Sequence, residues 1–320
     1  MIKITGETPE IRRIQTGWYS FDHALADQTE IGYPLGQICE VYGPNGTGKS
    51  TTVQSLALVL ARETKANIAF ADFEGMNVKI LTANAELQKF DGEFHRIQSR
   101  KDEEILQELL DCMKKKQYSV GIVDAVGSIS PASESEGDLG DANMGRRAFL
   151  MAQFSRRINH TLIEHAEKSM ILINHQHPRI GMIGTITPGG ETKKYSASMR
   201  IQITRMYRKN KEDVFNDGSY VIKGVVQKNR WGFEDRAFYL FVLAGKGVHS
   251  GLTAMYDTIM LKLSTVDRNI VKLGDENIGH INEIIKQAHE GNNVFFEPFY
   301  KALETVNGVE IVEEKDEEDD

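Results

Sequence analysis

Apolar and polar positions fall along this chain in blocks of two kinds. Short apolar runs bounded by Gly, Asn and Asp read as buried strands: Gln37 to Tyr42, Asn67 to Asp72, Ser119 to Asp124 and Ser169 to Asn174. Longer stretches with helical spacing lie between them. A helix is expected from about Lys49 to Glu63, directly after a glycine-rich turn. Asp102 to Lys116 places Ile105, Leu106, Leu109, Leu110 and Met113 on one face, with its acids first and its lysines last, the order a helix dipole favours. A long helix is expected from about Asn143 to Lys168. Strands and helices in alternation predict an α/β fold with a mostly parallel central sheet. After Asn174 the period shortens to two, over Met199 to Tyr207, Tyr220 to Gln227 and Arg236 to Leu243, with Gly-, Asn- and Asp-rich links. Those segments predict hairpins and an antiparallel extension of the sheet. A small helical unit follows from about Gly251. The expected organisation is a lead-in over 1–30, a core over 31–250, a small C-terminal unit over 251–312 and a tail over 313–320.

Composition narrows the class. The chain has 320 residues, 40% hydrophobic and 26% charged, enough for one large α/β core with an appendage. No run of about 18 apolar residues marks a membrane span, and the N-terminus has no signal-peptide pattern. Cys39 and Cys112 lie in apolar stretches outside any metal-ligand spacing, so they read as buried free thiols and a cytoplasmic location is expected.

Net charge changes the picture once it is localised. The formal charge is -8, but Glu313 to Asp320 carries seven acids and one lysine, leaving only -2 elsewhere. Such a tail cannot pack and is expected to stay solvated. Between Asn174 and Asn210, Glu191 alone opposes seven basic residues: Arg179, Lys193, Lys194, Arg200, Arg205, Arg208 and Lys209. That stripe reads either as a phosphate-binding surface or as a solvated edge.

The strongest chemical signal is local. Gly43-Pro44-Asn45-Gly46-Thr47-Gly48-Lys49-Ser50, followed by Thr51, satisfies G-x-x-x-x-G-K-[ST] between a strand and a helix. Backbone N–H groups of such a turn close around phosphate oxygens at a helix N-terminus. Lys49 is then placed for the β- and γ-phosphates of ATP and Ser50 for Mg²⁺. Asp124 ends an apolar strand where a carboxylate partner of Mg²⁺ is expected. Asp72 and Glu74 both sit at a strand end from which a carboxylate can activate water, and spacing does not choose between them.

Further motifs are family-specific. Glu136-Gly137-Asp138-Leu139-Gly140-Asp141-Ala142-Asn143-Met144-Gly145 resembles the first DNA-binding loop of bacterial RecA. Ile14-Gln15-Thr16-Gly17, Glu40-Val41-Tyr42-Gly43-Pro44, Ile173-Asn174, Arg179-Ile180-Gly181, Pro188-Gly189-Gly190 and Lys194-Tyr195-Ser196-Ala197-Ser198 follow in the order of the same family. The resemblance covers roughly Ile11 to Gly251 and implies a P-loop RecA-like core. It implies an ATP-dependent strand-exchange recombinase that forms a homo-oligomeric filament on single-stranded DNA and pairs it with double-stranded DNA. It also implies roles. Glu74 takes the catalytic carboxylate position. Met144 and Ile180 fall where apolar side chains enter between base triplets, and Gly189, Gly190 and Arg156 fall at phosphate contacts, beside Arg179. Lys228 and Arg230 match the basic pair that reaches the neighbouring subunit's ATP. Single-strand-binding and loader proteins are possible partners.

Three departures stand out. Only about ten residues precede the core. His175 occupies the family's γ-phosphate-sensing glutamine position, as in phage UvsX-type recombinases, so a host cytoplasm is one expected setting. Leu81 falls near the family's adenine-stacking aromatic. Phe21-Asp22-His23-Ala24 reads F-x-x-A, an assembly motif of eukaryotic and archaeal relatives, but within a predicted core helix, where it reads as chance. The competing readings are a hexameric RecA-fold helicase and a non-hydrolysing annealing or mediator protein that ATP assembles.

Overall fold

The computed structural model of the chain describes residues 11–130, 145–178, 185–186, 197–206, 215 and 217–306. Its centre is a nine-stranded sheet. The strands are β1 (Gln37–Gly43), β2 (Asn67–Asp72), β3 (Phe94–Ile97), β4 (Tyr118–Asp124), β5 (Ser169–His175), β6 (Met199–Arg205), β7 (Tyr220–Asn229), β8 (Ala237–Leu243) and β9 (Gly247–Val248). Their order is β9-β8-β7-β6-β1-β5-β4-β2-β3. From β6 to β3 every pairing is parallel, and from β6 to β9 every pairing is antiparallel.

The inner parallel strands are mostly apolar because both faces are covered. Cys39 and Val41 of β1, Ile68 and Phe70 of β2, and Ile171 and Ile173 of β5 point to one cluster. That cluster is completed by α2 (Lys49–Thr64) and by Leu81 of α3 (Val78–Leu87). The alternate residues Ile38, Ala69, Ala71, Met170 and Leu172 meet α4 (Asp102–Lys114) and α5 (Arg146–Glu164) on the other face. Strand period two thus divides one chain into two cores. Lys168 is buried beneath the end of α4, and its ammonium donates to the carbonyls of Met113 and Lys115, both at 2.7 Å. It satisfies two of the helix's terminal carbonyls from inside.

The C-terminal unit packs on the antiparallel extension. Val221 of β7 and Tyr239, Phe241 and Leu243 of β8 share a cluster with α6 (Ser250–Met260), α7 (Ile281–His289) and α8 (Glu297–Glu304). To those helices the structure adds a three-stranded antiparallel sheet: β10 (Ser264–Asp267), β11 (Ile270–Leu273) and β12 (Glu276–His280). The first hairpin turns through Arg268 and Asn269, both at positive φ, the primed turn that fits strand twist. Phe21 and Ala24 are 2% exposed within α1 (Tyr19–Ala24), so that F-x-x-A sequence is core rather than a docking motif.

One buried carboxylate links the N-terminal helix to the C-terminal unit. Asp257 on α6 accepts a hydrogen bond from the Ser20 N–H at 3.0 Å, while its Oδ1 has no partner among the described residues. Burial, and secondarily the charge of Asp22, pushes its carboxyl up to about 7. A raised acid keeps its proton in the fold after the unfolded chain has released it. Its contribution to stability is therefore present below the ordinary value of 3.8 and is lost as pH rises towards about 7. Asp257→Asn retains an acceptor for Ser20 but cannot ionise. Urea midpoints across that interval should fall for the wild type and fall distinctly less for the variant; parallel curves would assign the pH dependence to other groups.

Candidate active site

Four neighbouring parallel strands end together, and the phosphate turn, Asp72, Glu74, Asp124 and His175 all sit at or just past those ends. Gly43 on β1 is level with His175 on β5, and Asp72 on β2 is level with Asp124 on β4. The crevice beyond the carboxyl ends of such strands is where open α/β sheets bind ligands.

The glycine-rich turn leaves β1 at Gly43, where a Cβ would collide with the Ile203 carbonyl of β6. Only glycine allows the two strands to close there. Gly48 caps α2 at φ 89°, and a Cβ on it would strike the Tyr220 hydroxyl. The Arg205 guanidinium stacks on the Tyr220 ring at 4.1 Å. Tyr220 is thus a wall of the turn, which no local sequence signal announces. Lys49 is 5% exposed, and its ammonium and the Thr47 hydroxyl both donate to the Pro44 carbonyl, at 2.8 and 2.9 Å. Burial pulls the lysine down, against the opposing pull of Glu74 and Asp124.

Asp124 is buried, and its Oδ1 has no hydrogen-bond partner among the described residues. Burial pushes its carboxyl up to about 6, with Glu74 and Asp72 adding repulsion and a hydrogen bond from Ser50 opposing it. A buried carboxylate with an uncommitted oxygen, beside a serine hydroxyl at a helix N-terminus, fits a divalent cation. The backbone turn and Lys49 fit a polyphosphate.

Geometry separates Asp72 from Glu74. Asp72 Oδ1 accepts from the N–H groups of Glu74 and Gly75, at 3.3 and 2.7 Å, and its Oδ2 accepts from Met76 N–H at 3.0 Å. Arg96 on β3 adds a two-pronged ion pair to Oδ2, at 2.6 and 2.5 Å. Asp72 is consumed in folding the loop that carries Glu74. Glu74 instead faces the crevice, its Oε1 bonded to Ser128 Oγ and to His175 Nε2, both at 2.6 Å. Burial would raise it, but the bonds from Ser128 and His175 and the charges of His175 and Lys49 outweigh burial and hold it below the ordinary value. Leu81, 8% exposed in the α3 core, offers no ring to a base.

The basic candidates lie elsewhere. Lys228 stands opposite Arg200 at the start of β6, and Arg230 follows at the exposed end of β7. Tyr220, at the other end of β7, is the residue beside Gly48. Eight residues of extended strand, about 27 Å, separate Lys228 from that end. Lys228 donates to the Ala197 carbonyl at 2.6 Å. The basic stripe reads differently in three dimensions: Arg200 is paired with buried Glu40 at 2.7 Å and lies over the Tyr42 ring. Glu40 lies outside the stripe in sequence, so the stripe's apparent charge was overstated. Arg156 is exposed on α5, in a groove with Arg157, His160 and Lys114. Met144, Arg179, Ile180, Gly189, Gly190 and the acidic tail lie outside the described residues.

A parallel sheet with a phosphate-binding turn and its carboxylates at the strand ends defines a P-loop nucleoside-triphosphatase. The family model for the RecA N-terminal domain matches residues 1–249, so the chain belongs to the RecA family. It is 30% identical to Protein RecA of Chlamydia felis (strain Fe/C-56), over 97% of this chain and 88% of that one. To Protein RecA of Phytoplasma mali (strain AT) it is 28% identical, over 90% and 81%. The crystal structure of the RadB recombinase shares the fold, with a TM-score of 0.50 and 17% identity over 68% of this chain and 92% of that one. The chain is a RecA-type recombinase, and no helix among its described residues is long and apolar enough to cross a membrane.

The Asp72–Arg96 brace makes a testable demand. Arg96→Met should leave nucleotide binding nearly intact while lowering kcat by roughly tenfold or more, because the Glu74 loop loses its anchor and small displacements of a reacting group are costly. An unchanged kcat in a folded variant would show that the three backbone N–H groups hold the loop without Arg96.

Proposed function

We propose that this protein is an ATP-dependent strand-exchange recombinase, active in recombinational repair, that polymerises on single-stranded DNA and pairs it with a homologous duplex. The observation that carries the reading is the position of Lys228 and Arg230. They lie at the end of β7 opposite the one that meets Gly48 of their own phosphate turn. They serve a second copy, where two cations stabilise charge on the transferring phosphate and tie hydrolysis to filament contact.

Within one subunit, Gly43 to Thr51 would hold the phosphates, with Lys49 at the β and γ groups. Ser50 and Asp124 would hold Mg²⁺, which neutralises phosphate charge when bound. Glu74 orients the attacking water and takes its proton. His175 would donate to a phosphate oxygen, and its bond to Glu74 would let it report nucleotide state to the following segment. Arg156, Arg179, Gly189 and Gly190 would meet DNA phosphates and Met144 and Ile180 the bases. Single-strand-binding and loader proteins in the cytoplasm would be its partners.

Electron microscopy with single-stranded DNA and a non-hydrolysable ATP analogue should show helical filaments; closed rings would favour a helicase. Glu74→Gln should bind ATP but hydrolyse it roughly 10²–10⁴-fold more slowly. A larger loss in Asp72→Asn with binding retained would transfer the base to Asp72. A mixture of Lys49→Ala and Lys228→Ala subunits, each inactive alone, should recover roughly a quarter of the wild-type rate if mixing is random. No recovery in demonstrated mixed filaments would place Lys228 outside trans catalysis.

A further inference from the structure

A second polar cavity lies away from the nucleotide crevice, where α2 and α3 end and α6 begins. Its volume is about 280 Å³, and it is lined by Arg62, Leu87, Gln88, Lys89, Val248, His249, Ser250, Gly251, Asn293 and Tyr300. No carboxylate side chain is among them. Arg62 is on the last turn of α2, thirteen residues from Lys49 and therefore about 20 Å along the helix.

The lining presents donors. His249 is 2% exposed and caps α6, its Nδ1 accepting the Leu252 N–H at 3.1 Å. That bond requires Nδ1 to be unprotonated, so the neutral ring carries its proton on Nε2. Nε2 has no hydrogen-bond partner among the described residues, although the ring is almost wholly buried. Burial, then the charges of Lys246 and His289, hold this imidazole down at about 4, so it is a neutral donor near pH 7. The first backbone N–H groups of α6, at Ser250 and Gly251, have no intrahelical acceptor. Burial pushes the Tyr300 phenol up to about 12, which keeps it a donor as well. Arg62 donates to the Gln88 carbonyl at 2.6 Å and pairs with Glu63 at 2.8 Å, and Lys89 stands exposed at the rim. Arg62, Lys89, the N-terminus of α6 and the His249 imidazole thus line one concave space, with the Arg62 charge shared with Glu63.

We propose that this cavity is an anion site of the phosphate class, separate from the ATP site. Its ligand is orthophosphate or the phosphate of a small nucleotide. It bridges the far ends of α2 and α3 to the first turn of α6, and so fastens the C-terminal unit to the helix that begins at the phosphate turn.

Thermal unfolding of the full chain tests this with the ATP site filled by ADP and Mg²⁺. Orthophosphate, titrated against chloride at constant ionic strength, should raise Tm by about 2 °C at ten times its Kd. AMP in place of orthophosphate identifies the source: a larger shift at equal concentration assigns the site to nucleotides. Arg62→Gln combined with Lys89→Asn should abolish the shift; asparagine is chosen because Lys89 has φ 54°. His249→Asn keeps a cap acceptor for Leu252 and loses the Nε2 donor, and should weaken phosphate binding roughly tenfold. Anion-free urea melts establish that each variant folds, and ³¹P line broadening measures binding independently of stability. The proposal is overturned if wild type shows neither shift nor broadening, or if the double variant responds as wild type does. An equal response in the double variant would place the bound phosphate beside ADP.

Discussion

The parallel register of β1, β5, β4 and β2 is the constraint on which the rest depends. It sets Gly43 level with His175 and Asp72 level with Asp124, so a turn, an imidazole and two carboxylates reach one edge together. A slip of one residue would exchange the two faces of a strand and bury the wrong set. The register is protected because both faces are apolar but packed differently, Ile171 and Ile173 against one helical layer and Met170 and Leu172 against the other. The missing side chain at Gly43 then lets β6 close on β1, and the phosphate turn inherits a fixed base.

Three carboxylates on that edge would repel one another if they shared one environment. They do not. Asp72 is neutralised by Arg96 and saturated by backbone N–H groups. Asp124 is buried, raised, and has an oxygen to spare. Glu74 is partly exposed and lowered by its neighbours, so it stays ionised and able to accept a proton. Three acids of nearly equal intrinsic strength therefore have three chemical characters, set by surroundings rather than by residue type.

Much of this was legible where its cause was local. The phosphate turn, the strand before it and α2 follow from adjacent residues, and the amphipathic spacing of α4 from Ile105 to Met113 needed no partner. What sequence reading missed depends on pairs remote along the chain. Asp72 and Glu74 could not be separated from spacing, because Arg96 is on another strand. The charge of Arg200 in the basic stripe could not be discounted from sequence, because its partner, Glu40, is 160 residues away. Tyr220 lies outside every motif, yet it walls the turn. The sheet β10–β12 falls within the stretch expected to be a helical unit, because Arg268-Asn269 is an uncommon pair for a primed turn, which usually carries glycine. The family resemblance supplied Glu74 before the geometry separated it from Asp72, while the residues matching its DNA loops lie outside those described.

The far edge of the sheet has an energetic logic of its own. Burial, then the charges of Arg230 and Arg200, pulls the Lys228 ammonium down, with Glu234 the opposing influence. Lys228, Arg230 and Arg200 gather at one end of β6 and β7, where Arg200 pairs with buried Glu40 and Lys228 donates to the Ala197 carbonyl. The like charges of such a group repel one another, and an anion brought to it from outside lowers that repulsion. In the proposed filament that anion is the phosphate on the neighbouring subunit's turn, more highly charged with ATP than with ADP. The repulsion at the edge of one subunit then becomes attraction across the interface, strongest before hydrolysis and weaker after it. In that proposed filament, charge balance would couple assembly to nucleotide state without any need for the two sites to touch within one chain.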